Sequence, residues 1–331
     1  MLSGRPTNMK AWPVTSEDRA MSQFQRLLLV VTPDMCRTPA FERAAALARA
    51  SGAPLHMALF TYVETLAAVG RFTSEGMRQA VDSYMAGHHE WLEEEASILR
   101  SQGLEVTCEV VWTRHPAEEI IAHVREMPVD LLIKDVRPEP AVMRAFVTPL
   151  DWQLLRRCPV PLHLVTDAHN PLPRKVVAAV DPFVHTDGAS EFNDRIIRAA
   201  HDLALQCDAE LHLLHACNAM GGQPFGSATL NLPWLGTLGA KMKSTAQEAF
   251  RLLADRHGVP EKQRHFLLGP PVPTLTDYAC RHEVDVVVMG SSLRKSLEQE
   301  ILGSTSEALL YRLPCSVLVV HPEGVGEPQG R

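Results

Sequence analysis

Two hydrophobic patterns alternate along this chain. Short continuous apolar runs such as Leu27 to Val31 and Val286 to Met289 read as strands buried on both faces. Between them lie longer stretches whose apolar positions recur at helical spacing. The pattern predicts strands over 26–32, 54–60, 104–112, 130–134 and 160–166. It predicts helices over 39–51, 73–102, 116–126 and 149–157. Such strict β/α alternation implies a doubly wound parallel sheet with helices on both faces.

The same order then begins again. With a constant offset of 155 residues, Asp130 to Ile133 lies over Asp285 to Val288, Leu154 and Leu155 over Leu309 and Leu310, and Pro116 and Pro159 over Pro271 and Pro314. Arg26 to Pro33 similarly matches Lys175 to Pro182, and Pro54 to Phe60 matches Glu210 to Ala216. The expectation is two tandem α/β domains, each with a five-stranded parallel sheet, over 26–167 and 174–322. A Pro-rich linker (168–173) joins them, and a polar extension (1–25) and a tail (323–331) flank them. Met21, just before the first strand, is expected to be the translation start.

At 331 residues the chain has room for two such domains. A net charge of −7 argues against a nucleic-acid surface or a polybasic membrane anchor. No apolar run approaches the roughly 20 residues of a membrane span. The seven cysteines contain no C-x-x-C pair, which fits packed thiols in a reducing cytoplasm.

The chemistry concentrates between Asp285 and Val320. A buried strand ends at Met289-Gly290, a loop bracketed by Gly290 and Gly303 follows, and a short helix is expected from about Thr305. Glycines let backbone N–H groups approach a ligand, and a helix N-terminus attracts anions. Ser304 also suits a helix cap, with Glu307 as the return half of a capping box. The stretch therefore reads either as a phosphate cradle or as a capped helix after a long loop. In open α/β sheets ligands bind beyond the carboxyl ends of the strands, where strand order reverses. For this order that point lies between the first and fourth strands of each half, which in the second half end at Asp181 and Gly290.

The stretch resembles the C-terminal signature of universal stress proteins, G-x-x-G-x9-G-[ST], which wraps the ribose and phosphates of ATP. Gly290, Gly303 and Ser304 match it in type and spacing, whereas Leu293 stands in place of its second glycine. The resemblance implies a Rossmann-like fold of the adenine nucleotide alpha hydrolase type. It places Asp181 at the adenine, Ala216 against the base, and Met289, Gly290, Ser291, Gly303, Ser304 and Thr305 around ribose and phosphates, with Arg294 adding positive charge. In the first half Thr32 replaces Asp181, Asp135 replaces Gly290, and Thr148 and Pro149 replace Gly303 and Ser304. That half is expected to bind no nucleotide in this manner, since proline removes a donor and Asp135 and Asp151 repel phosphate.

The run Phe146 to Val165 resembles the first domain of tandem universal stress proteins of the E type. The resemblance implies a cytoplasmic stress-response protein associated with resistance to DNA-damaging agents, with no defined catalytic reaction and at most a weak ATPase. It implies ATP or AMP in the second domain only, two domains paired through their fifth strands as a pseudo-dimer, and room for a further homodimer. A competing reading comes from Asn218 to Ala240, which holds no charged residue and includes Phe225, Trp234 and Leu238. It is either a lid over an apolar or lipid-like ligand, with the nucleotide motif vestigial, or a loop packed on a neighbour. No metal and no catalytic set is predicted: His212 and His215 fall on opposite strand faces, His88 and His89 on a solvated helix face. Asp130 and Asp285 are expected to be structural, and Trp91, Trp112 and Trp152 to anchor the core.

Overall fold

A computed structural model describes residues 24–65, 74–136, 150–166, 170–182, 189–218, 233–291, 293–296, 299–302, 309–310 and 312–322. The first half contains β1 (Leu27–Val31), α1 (Pro39–Ser51), β2 (Leu55–Thr61), α2 (Ser74–Ser101), β3 (Val106–Trp112), α3 (Pro116–Glu126), β4 (Leu131–Asp135), α4 (Leu150–Arg157) and β5 (Leu162–Val165). The second half contains β6 (Lys175–Ala179), α5 (Ala189–Cys207), β7 (Glu210–Cys217), α6 (Pro233–Arg256), β8 (Arg264–Leu268), α7 (Pro271–Arg281) and β9 (Val286–Gly290). It ends with β10 (Leu293–Ser296), β11 (Gln299–Leu302) and β12 (Ser316–Val320).

Ten strands form one sheet in the order β3-β2-β1-β4-β5-β12-β9-β6-β7-β8. Each half contributes parallel strands in the order 3-2-1-4-5, and the two fifth strands, β5 and β12, meet antiparallel with Leu318 opposite His163. The expected pairing through the fifth strands is therefore present, as one continuous sheet. Alternate side chains of the buried strands enter two cores. Leu27, Leu29 and Val286 face α1, α2 and α5, whereas Leu28, Leu132 and Val287 face α3, α4 and α7.

The two carboxylates at the starts of the fourth strands explain how each half holds its central strands in register. Asp130 accepts from the backbone N–H groups of Gln25 at 2.6 Å and Arg26 at 3.1 Å. Asp285 accepts from those of Arg174 at 2.8 Å and Lys175 at 3.0 Å. Both aspartates are structural, as expected. Phe24 is already buried, so packing starts two residues before the predicted boundary.

Four expectations change. The loop after Gly290 contains an antiparallel hairpin, with Leu293 opposite Leu302 and Ser296 opposite Gln299. The apolar Asn218–Ala240 stretch is not a loop throughout, because α6 starts at Pro233; residues 219–232 lie outside the described residues. His88 is not on a solvated face: it is buried, with Nδ1 at 2.8 Å from the Tyr84 carbonyl and Nε2 at 3.1 Å from that of Pro33. Of the three tryptophans, Trp152 is buried and Trp91 packs on a core, but Trp112 sits in an outlying cluster with Tyr62 and Tyr84.

Histidines stitch the seam between the halves. His163 is 0% exposed; its Nδ1 lies 3.2 Å from the Val317 carbonyl, and its Nε2 lies 3.5 Å from the buried Arg43 guanidinium. His321 donates from Nε2 to the Leu155 carbonyl of the other half at 2.8 Å. Burial, reinforced by Arg43, pushes His163 down to about 3, and burial pushes His321 down to about 4. Both are depressed below the unfolded histidine value, so below about pH 6.5 the unfolded chain takes up protons that the folded one refuses. Stability contributed by these two groups is complete above about pH 6.5 and declines as pH falls towards 4. Urea denaturation across that range should show the decline, and H163L/H321L should flatten it; an equally steep dependence in that variant would remove the seam histidines as its cause.

Candidate functional site

The carboxyl end of the second half's sheet lies between β6 and β9, where strand order reverses. Alanine 178 pairs with Val288, and Ala179 with Leu214. Carried three residues on from the first pair and two from the second, the register sets Asp181 beside Ser291 and Ala216 on one face of the sheet. Met289 shares that face, which packs on α7 and Leu309–Leu310. Four of the expected site residues, Asp181, Ala216, Met289 and Ser291, are thus brought onto one surface by strand alternation alone.

Asn193 of α5 fixes the backbone where β6 ends. Its Oδ1 accepts from the Asp181 N–H at 3.1 Å, and its Nδ2 donates to the Asp181 carbonyl at 2.8 Å. No sequence argument picked out Asn193; the only signal was a buried amide position near a helix start. Ser291 continues β9 through its N–H to the Val320 carbonyl at 2.9 Å. Its side chain is 0% exposed, yet Oγ has no hydrogen-bond partner. A buried hydroxyl left unpaired costs about 1–3 kcal/mol, so it marks a place where a polar partner would be stabilising.

Gly290 belongs to the opposite face. A Cβ there would meet the Phe192 ring at 2.5 Å and Ile196 Cδ1 at 3.0 Å. Close packing of α5 on β9 therefore requires glycine, whether or not a ligand approaches. Arg294 lies on β10, one residue into the hairpin. Gly303, Ser304 and Thr305 lie outside the described residues.

The corresponding surface of the first half is filled. Phe60 stands where the second half has Ala216, and the His123 ring meets it edge-on at 4.9 Å. Lys134 stands where the second half has Met289; its ammonium forms a buried ion pair with Asp151 at the start of α4 and donates to the Asp135 carbonyl at 2.7 Å. Asp135, in the place of Gly290, accepts from the Ala40 N–H at 3.0 Å in the first turn of α1. A helix N-terminus open to an external anion would be served here by a resident carboxylate. An aromatic pair and an internal ion pair thus stand at these positions of the first half.

Histidines cluster further out on both halves. His56 and His123 both face Glu109 Oε1, at 2.8 and 2.9 Å, and His212 Nδ1 lies 2.9 Å from His265 Nε2. Burial, then the neighbouring His212, His282 and Lys175 charges, push His265 down to about 4. Among the described residues no group of three or more His, Cys, Asp or Glu side chains is arranged to hold a metal ion. Among those residues no helix is long and apolar enough to cross a membrane.

Comparison with known proteins agrees with this geometry. The pattern of the universal stress protein family matches twice, over residues 23–166 and 173–321. Universal stress protein E of Escherichia coli strain K12 is 28% identical over 316 residues, spanning 93% of this chain and 97% of that protein. The universal stress protein E homolog of Haemophilus influenzae is 28% identical over 222 residues, 66% of this chain and 71% of its own. Among solved structures, a functionally unknown protein of Pseudomonas aeruginosa PAO1 superposes with a TM-score of 0.71 at 25% identity, covering 93% of this chain and 96% of its own. A universal stress protein of Archaeoglobus fulgidus gives 0.62 at 17% identity over 90% of this chain and 97% of its own, a likeness of fold alone.

The packing of Gly290 yields a direct prediction. G290A should destabilise the protein by about 1–3 kcal/mol through overpacking against Phe192. F192L in the same chain should recover much of that loss in urea denaturation, because it removes the ring that a Cβ would strike. No loss in G290A would mean that α5 does not press on β9.

Proposed function

This chain belongs to the universal stress protein family, and from that premise we propose that it is a cytoplasmic stress-response protein acting by binding rather than by catalysis. Its ligand is an adenine nucleotide, ATP or AMP, held by the second half alone at Asp181, Ala216, Met289, Gly290, Ser291, Arg294, Gly303, Ser304 and Thr305. The observation that carries the reading is the buried, unpartnered Ser291 hydroxyl at the strand-order switch point, on the same face as Asp181 and Ala216. The contrast with the first half adds weight: there the equivalent surface is closed by Phe60, His123 and the Lys134–Asp151 pair. The similarity to universal stress protein E relatives supports the stress role, and leaves resistance to DNA-damaging agents and the ligand to experiment.

Denaturing the purified protein and identifying what it releases by mass spectrometry is the first test. ATP, ADP or AMP supports the reading, and a lipid or other apolar molecule overturns it. For an empty protein, calorimetric titration with ATP and AMP gives the answer. Loss of one hydrogen bond worth about 0.5–1.5 kcal/mol should make S291A bind about three- to tenfold more weakly while its unliganded melting temperature holds or rises. G303D, which puts a carboxylate where phosphate is expected, should abolish binding. Wild-type affinity in both variants would move the nucleotide away from this surface.

A further inference from the structure

The hairpin that follows β9 does not join the ten-stranded sheet; β10 and β11 pair only with each other. An isolated two-stranded hairpin is marginally stable at best in water, so its position needs outside support. The structure supplies that support from the other half: β11 packs against α4. This helix lies between the two candidate surfaces. Its first turn is held at the filled surface of the first half by the Lys134–Asp151 pair. Its last turn meets the end of β12, where His321 donates to the Leu155 carbonyl at 2.8 Å. Because β5 and β12 run antiparallel, the carboxyl rim of one half adjoins the amino rim of the other. Eight residues of helix span about 12 Å, enough to reach from one rim towards the other.

We propose that the first half, having lost its own site, serves as the platform for the second half's loop: α4, fixed at one end by Lys134–Asp151 and at the other by His321, positions the hairpin Leu293–Leu302. Lys134, Asp151 and His321 are therefore positioning residues for a surface that none of them lines. The buried pair would otherwise be hard to justify, because replacing a buried ion pair with apolar groups is often neutral or stabilising. Its worth is directional: it sets where α4 begins, and so where β11 rests. The part of this inference that concerns affinity rests on the nucleotide reading; the docking of the hairpin does not.

Hydrogen exchange on the full-length protein without nucleotide tests the platform directly. In the wild type, amides of 293–302 should exchange well below the rate of an unsupported hairpin. D151N weakens the first-turn anchor and H321L removes the last-turn donor, so either should speed exchange over 293–302 by about tenfold or more, with amides of β1 and β6 unchanged. H321L replaces a buried imidazole by an apolar group of similar volume, so it reports even if D151N fails to fold. D151E, which keeps the charge, should restore much of the protection. Wild-type hairpin protection in a folded H321L, or a hairpin already exchanging freely in the wild type, overturns the proposal. If the variants loosen the hairpin and also weaken ATP or AMP binding about tenfold, platform and nucleotide site stand together. If they loosen it while ATP affinity is untouched, the platform stands and the nucleotide does not use this loop.

Discussion

Everything in this architecture depends on the antiparallel pairing of β5 with β12. A five-stranded parallel sheet ending in Leu162–Val165 or Ser316–Val320 would expose a row of unpaired backbone groups on an apolar strand, a template for aggregation. Joined to each other, the two strands are buried along their whole length and the edges move out to β3 and β8. The pairing also fixes direction. It sets the two halves head to tail, so their carboxyl rims lie on opposite sides of the body. The seam is more than backbone: His163, Arg43 and Gln206 all make polar contacts where α1, α5 and the fifth strands converge.

With the seam shared, the halves were free to diverge at their rims. Edge-to-face packing of Phe60 and His123 at the first half's rim buries apolar surface, which is stabilising. The Lys134–Asp151 pair follows a different logic. Taking two charges out of water is costly, and their attraction repays it only with good geometry and further hydrogen bonds. Lys134 has one such bond, to the Asp135 carbonyl, and Asp151 lies in the first turn of α4, where a negative charge is favoured. Both halves keep unpaired buried oxygens at these rims, Thr32 Oγ1 and Asp135 Oδ2 in the first and Ser291 Oγ in the second.

Much of the fold was legible in the sequence because its strands are buried on both faces and so read as unbroken apolar runs. The repeat was legible because Asp130 and Asp285 must each grip the start of a neighbouring strand, a demand that holds residue type and position constant in both halves. What could not be read depends on contacts made at a distance. His88 sits among acidic helix residues in sequence, yet the carbonyls of Pro33 and Tyr84 draw it inwards. The hairpin after Gly290 has no tight-turn signature, and its support comes from α4, some 140 residues earlier in the chain. The uncharged stretch before Lys241 reads as a loop, because its glycines and prolines hide the helix that starts at Pro233.

Gly290 shows how a motif residue comes to be determined twice. Its spacing from Gly303 and Ser304 matches a nucleotide signature, and a ligand-based account of the glycine is complete without any helix. The close approach of Phe192 and Ile196 gives an equally complete account without any ligand. In the first half the same position is Asp135, to which α1 offers the Ala40 N–H. Glycine at this position therefore reports on the helix behind the sheet as much as on the space in front of it. Ser291 differs: among the described residues its buried hydroxyl has no partner, and an apolar residue there would leave no oxygen unpaired. The weight of a functional assignment at this rim accordingly falls on the serine and not on the glycine.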